Sequence, residues 1–211
     1  GCRGVTRSLL ELLAESQQLG FLGPGPVDAH IPHALAYADA TPPPARALDL
    51  GAGGGVPGLV LATSVWPETR WTFLDAQRRR IDFLEDAIEA LGLADRVDAQ
   101  LGRAEEAARL DDRRGRFDLV VARSFGAPAV AAECAAPFLA VGGALVVSEP
   151  PAAAVEGRWP AGPLAELGFG PPDPVEARGV HLVRLRLVAP CPDRYPRRTG
   201  IPAKRPLFGR G

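Results

Sequence analysis

Asp49 ends a short apolar run and is followed by Gly51-Ala52-Gly53-Gly54-Gly55-Val56-Pro57-Gly58. An acid followed by a glycine-rich turn is suited to holding a ligand against backbone. Glycine has no Cβ and lets another molecule approach closely. Leu48 and Leu50 read as the end of a buried strand, and Pro57 suits the first turn of a helix. Free N–H groups and the positive end of the helix dipole then face the ligand. A triphosphate loop would need Lys and Ser or Thr after its last glycine. Leu59 and Val60 stand there instead, so that ligand is excluded. Two adenosine-bearing ligands stay open. A dinucleotide fingerprint is present as Gly53, Gly55 and Gly58, although Pro57 falls where the helix should pack on the strand. The other is S-adenosylmethionine, for which Asp49 can hold the ammonium or the turn backbone, whereas it would repel a pyrophosphate.

Three further positions fall on the same edge. Asp75 ends the second apolar run and follows Gly51 by 24 positions, the spacing of a carboxylate that holds a ribose hydroxyl. One unit later, Arg103-Ala104-Glu105-Glu106 opens a helix and is a candidate wall for an adenine. Arg123 closes the fourth run and could anchor a cofactor carboxylate or a substrate phosphate. No Asn-Pro-Pro-Tyr cluster for exocyclic amines is present, and Pro190-Cys191 lies past the last strand, far from the glycine turn in topology. Transfer of a methyl group to a ring nitrogen with a free lone pair needs alignment and exclusion of water rather than a general base. His30 and His33 stand one helical turn apart with no third metal ligand in view, which reads as packing.

These residues need a scaffold of alternating strands and helices. Strands are expected at Arg46–Leu50, Trp71–Asp75, Val97–Leu101, Phe117–Ala122 and Ala144–Ser148. The clearest helix is Arg78–Leu91, with apolar positions 81, 84, 88 and 91. The pattern predicts an α/β, doubly wound, mostly parallel sheet. Pro174–Ala177 and His181–Val188 form a terminal antiparallel hairpin around Arg178-Gly179. Residues 1–44 form an N-terminal helical cap: Ser8-Leu9-Leu10-Glu11 is a capping box, and Val27–Ala40 is a second helix. Residues 45–190 are the catalytic domain and 191–211 a basic tail, all one globular unit.

The 211 residues, 46% hydrophobic and 23% charged, describe one globular domain. No run approaches the ~20 apolar residues of a membrane span. Glu11 and Glu15 argue against a signal peptide. Cys2, Cys134 and Cys191 read as unpaired thiols in a reducing cytoplasm. The chain lacks Met and opens on Gly1, so the native start is expected upstream. Net charge is −1, but from Asp193 onward six basic residues face one Asp, so the tail carries +5 and the remainder −6.

Taken together, the motifs resemble the bacterial small-subunit ribosomal RNA guanine-N7 methyltransferases, the glucose-inhibited division protein B family. "DLGAGGGVPG" is similar to that family's D-x-G-[ST]-G-x-G-x-P-G, and "FLDAQRRRIDFL", "RAEE", "ARSF" and "RYPRRTGIPAKRPL" follow in its order. The resemblance implies a class I S-adenosylmethionine-dependent methyltransferase fold. It places Gly51 and Val56 along the cofactor, Asp75 at the ribose, Ala104 and Glu105 at the adenine, and Arg123 near the methionine end or the RNA. Asp49, Ala52, Gly53 and Ala76 complete the cofactor set. The expected acceptor is small-subunit ribosomal RNA, gripped by Arg123 and by Arg197, Arg198, Lys204 and Arg205 of the tail; a monomeric, metal-free, cytoplasmic enzyme is implied. Two departures concern the acceptor. "DAHIPH" has Ala29 and His33 where the family has Arg and Asp, and Ser148-Glu149-Pro150 replaces Leu-Lys-Gly. A bare Glu149 on the ligand edge would oppose RNA. It leaves a small-molecule methyltransferase, or a cofactor-binding protein without catalysis, as alternatives.

Overall fold

The structure, a computed structural model, describes residues 7–150 and 155–209. The N-terminal part comprises α1 (Leu9–Gln18), a 3-10 turn at Val27–Ala29 and α2 (His30–Ala40). The alternating part follows as β1 (Arg46–Leu50), α3 (Gly58–Ser64), β2 (Arg70–Asp75), α4 (Arg78–Ala90), β3 (Val97–Leu101) and α5 (Ala104–Ala107). It continues through β4 (Phe117–Ala122), α6 (Pro128–Ala135) and β5 (Leu139–Glu149). The remainder is α7 (Val155–Arg158), α8 (Ala161–Glu166), the hairpin β6 (Asp173–Ala177) and β7 (Val180–Arg186), and α9 (Ile201–Lys204).

Seven strands form one sheet in the order β3-β2-β1-β4-β5-β7-β6. The first five are parallel, and β7 runs antiparallel to both β5 and β6. Strand order reverses between β1 and β4, which makes the crevice beyond their C-terminal ends the ligand position of such a sheet. Successive side chains alternate between the two faces. Leu48, Leu50, Val120, Ala122 and Leu145 therefore join the α6 and α8 side. Ala47, Leu119, Val121, Val146, Trp71 and Phe73 join the α2, α3 and α4 side. Burial on both faces explains why these strands read as apolar runs.

The cap begins as its sequence requires. Ser8 Oγ accepts from the Glu11 amide, and the Glu11 carboxylate accepts from the Ser8 amide. Leu12 and Leu13 are wholly buried. One turn on, the equally buried Ser16 donates to the Gly54 carbonyl at 2.9 Å, so α1 is bolted to the glycine turn.

Two expected elements differ. The helix expected over Val27–Ala40 is split: its first three residues form the 3-10 turn and α2 starts at His30. Strand β5 begins at Leu139, five residues before the expected Ala144. It pairs Leu139 with Phe117, shifts register, and resumes with Ala144 opposite Leu119. Gly142-Gly143 mark that irregularity and read in sequence as a break.

Ser16→Ala leaves the buried Gly54 carbonyl without its donor. The expected cost is about 1–2 kcal/mol, a fall in melting temperature of roughly 4 °C for a chain of this size. A thermal unfolding curve followed by circular dichroism checks it.

Candidate active site

The glycine turn is held from behind by Asp49. Its side chain lies on the α3 side of β1, and Oδ2 accepts from the Gly58 amide at 2.8 Å. A Cβ on Gly58 would stand 2.5 Å from that same oxygen and 2.6 Å from the Phe73 ring. The other oxygen, Oδ1, is buried with no donor among the described residues. Burial pushes the Asp49 carboxyl up to about 7; the Gly58 hydrogen bond opposes this, Asp75 adds to it and Arg123 lowers it.

Gly51 opens the turn at φ +72°, and a Cβ there would meet the Phe125 ring at 2.6 Å. Phe125 arrives through Arg123-Ser124-Phe125 after β4, with Ser124 itself at φ +55°. The ring thus closes over the turn from the neighbouring strand.

Two cavities of about 190 Å³ each meet at Gly51, Arg80 and Ser124. The first is walled by Asp75, Ala76, Ala104, Glu105 and Phe125. The second is walled by Ala52, Gly53, Val56 and Arg123, with Phe21 and Leu22 from the segment after α1. Every expected cofactor residue except Asp49, which braces the turn from beneath, lines one of these lobes. Larger clefts, such as the one of about 320 Å³ between Arg46 and Arg113, lie away from these residues.

In the first lobe Asp75 is buried. Oδ2 accepts from the Gly53 amide at 3.0 Å and from Arg80 at 3.5 Å, and Oδ1 accepts from the Gln77 amide at 2.9 Å. A carboxylate oxygen has two acceptor positions, so Oδ1 keeps capacity for a further donor. Glu105 Oε1 accepts from the Gly200 amide at 2.9 Å, bringing the tail to this wall.

In the second lobe the Arg123 guanidinium lies with both terminal nitrogens 3.2 Å from His30 Nδ1. Arginine only donates, so Nδ1 carries the lone pair and the proton sits on Nε2, which is buried with no partner among the described residues. Burial and Arg123 lower the His30 pKa. His33 falls to about 4 through burial, Arg123 and His30. Both rings are held toward the neutral form. Behind them, the Tyr37 hydroxyl donates to the Ala122 carbonyl at 3.0 Å.

Two acceptor-side expectations need correction, one in the tail and one at the end of β5. Arg197 is not a free cation for RNA: its amide and guanidinium reach both oxygens of the wholly buried Glu133 at 2.6–2.9 Å. Arg198, Lys204 and Arg205 are exposed. Glu149 is not a bare charge either. Arg158 of α7 donates to it at 2.6 Å, and its side chain is 3% exposed. The repulsion expected of Glu149 is cancelled locally. Cys2 lies outside the described residues.

Phe125, Arg80, Phe21 and Leu22 belong to the site and carried little sequence signal. Phe125 was visible only as part of "ARSF" and Arg80 as part of an arginine run. Phe21 and Leu22 fall in the stretch between α1 and the 3-10 turn, outside every motif of the sequence analysis.

The family model described as GidB, rRNA small subunit methyltransferase G, matches residues 27–152. A curated "Ribosomal RNA small subunit methyltransferase G" of Deinococcus radiodurans is 41% identical over 169 residues, covering 77% of this chain and 66% of that protein. One from Moorella thermoacetica is 35% identical over 172 residues, covering 79% and 71%. The chain thus spans about two thirds of the length of these relatives. Among solved structures, a putative O-methyltransferase from Klebsiella pneumoniae superposes with TM-score 0.60 at 14% identity, covering 88% of this chain and 93% of that one. An S-adenosylmethionine-dependent O-methyltransferase from Thermotoga maritima gives 0.59 at 18% identity, covering 84% and 71%. The fold is that of class I methyltransferases, and the chain belongs to the rRNA small subunit methyltransferase G (GidB) family.

Proposed function

We propose that this chain transfers a methyl group from S-adenosylmethionine to N7 of a guanine in small-subunit ribosomal RNA. The observation that carries the reading is the two-lobed cavity at the strand-order switch, with Asp75 in one lobe, Arg123 backed by His30 in the other, and Asp49 beneath the turn between them. The residues fit the cofactor. The orphaned, buried Asp49 Oδ1 suits its ammonium, the spare Asp75 acceptor position suits a ribose hydroxyl, and Phe125 with Ala104 suits an adenine face. Arg123 suits its carboxylate, or an oxygen of the acceptor.

When bound, S-adenosylmethionine supplies a methyl group activated by a sulfonium. Guanine N7 brings its own lone pair, so no residue has to remove a proton. The chain's task is to align donor and acceptor and exclude water. Arg123 is fixed by two contacts to a neutral His30, which keeps the guanidinium from swinging into the transfer path. With Glu149 neutralised by Arg158, no bare carboxylate from β5 opposes an RNA backbone. Arg198, Lys204 and Arg205 are exposed tail cations placed to meet it.

Label from S-adenosylmethionine offered to small ribosomal subunits lacking the N7 mark should be recovered as 7-methylguanosine. Cofactor binding without label in RNA would turn the reading to a small-molecule acceptor. The triple variant Arg198→Ala, Lys204→Ala and Arg205→Ala should flatten the dependence of log RNA affinity on log salt by about 2, at ~0.7 per lost phosphate contact. An unchanged slope would remove the tail from the RNA interface.

Asp49 yields a pH prediction. Its folded pKa of about 7 lies above the ordinary 3.8, so the folded state takes up the proton first. Its contribution to stability is full below about pH 4 and is lost as pH rises through 7. Cofactor binding has the opposite sign, because the ammonium needs the carboxylate. S-Adenosylmethionine affinity should weaken as pH falls below 7, and in Asp49→Asn that dependence should be absent. Calorimetric titration from pH 5.5 to 8.5 reads both.

A further inference from the structure

The tail is anchored more firmly than a solvated basic segment would be. Tyr195 and Pro196 are buried. Arg114 donates to the Cys191, Pro192 and Tyr195 carbonyls at 2.9–3.1 Å, and Arg109 donates to the Pro196 carbonyl. Next in the chain comes the Arg197–Glu133 fork. Thr199 then donates to Glu106 at 3.0 Å, and the Gly200 amide donates to Glu105 at 2.9 Å. Glu105 therefore stands in the wall of the first lobe with one oxygen held from outside the sheet.

Helix α5, which carries Glu105, has four residues. A single turn does little to hold its own geometry, so the carboxylate needs an external constraint. A planar fork on a buried carboxylate fixes both distance and orientation. Only two residues, Arg198 and Thr199, separate that fork from Gly200.

We infer that Arg197 and Glu133 are positioning residues for the cofactor pocket: their ion pair sets the register of the tail so that the Gly200 amide holds Glu105 at the adenosine lobe. The inference rests on the S-adenosylmethionine reading given above. Glu105 Oε1 is occupied by Gly200, which leaves Oε2 to accept from a donor on the ligand. Neither Arg197 nor Glu133 lines the lobe.

The test is calorimetric titration of S-adenosylhomocysteine into the full chain and into Arg197→Lys, Glu133→Gln, Glu105→Gln and the Glu133→Gln/Glu105→Gln double variant. Arg197→Lys keeps a cation opposite the buried carboxylate and loses only the fork, so it stays informative if Glu133→Gln does not fold. Arg197→Lys and Glu133→Gln should each weaken binding about tenfold, and Glu133→Gln should add little once Glu105 is already Gln. A loss of the same size in both backgrounds, or wild-type affinity in Arg197→Lys, would overturn the inference. Absence of binding to the unmodified chain would instead overturn the pocket reading, and the inference with it.

Discussion

The hydrogen bond from the Gly58 amide to the buried Asp49 carboxylate is the constraint around which the ligand edge is built. It ties the end of β1 to the start of α3, and so sets the span of the turn between them. Gly58 has no room for a side chain because Asp49 and Phe73 occupy it. Gly51 has none because Phe125 does. The turn is further held by Ser16 from α1 and by Asp75 from β2. It is a rigid floor on which both lobes stand, rather than a free loop that closes on its ligand.

The same edge shows how this chain handles buried charge. Glu133 is answered by Arg197, Glu149 by Arg158 and Asp75 by Arg80. A charge withdrawn from water is tolerated when it is paired and hydrogen-bonded. Asp49 and Glu105 depart from this: each accepts from a backbone amide, Gly58 and Gly200 respectively, with no cation in salt-bridge contact among the described residues, and burial pushes the Asp49 carboxyl up to about 7. Asp49 goes further, since its Oδ1 has no donor among the described residues.

The sheet was readable because its strands are buried on both faces and appear as apolar runs punctuated by Gly and Pro. The glycine turn and Asp75 were readable because their chemistry depends on spacing within one βα unit. What escaped depended on contacts between separate elements or on local backbone conformation. Phe125 joins the site through a left-handed Ser124, a conformation no pattern announces. Phe21 and Leu22 join it because α1 docks on the turn. Arg197 and Glu149 were misjudged for one reason: a charge was visible, but its partner, 64 positions away for Arg197 and on a separate helix for Glu149, was not. The split of the second helix and the early start of β5 are local irregularities that periodicity smooths over.

The separation of contacts also orders the assembly of the molecule. Neighbouring strands β1, β2 and β3 pair across a single helix, a short loop to close. The Glu105 wall of the first lobe is finished by Gly200 reaching it across 95 positions, and Tyr37 reaches Ala122 across 85. Such distant pairings carry the larger closure entropy and follow the local ones. The pocket's walls thus rest on contacts of long sequence separation, so their geometry depends on the whole tertiary structure rather than on any one βα unit.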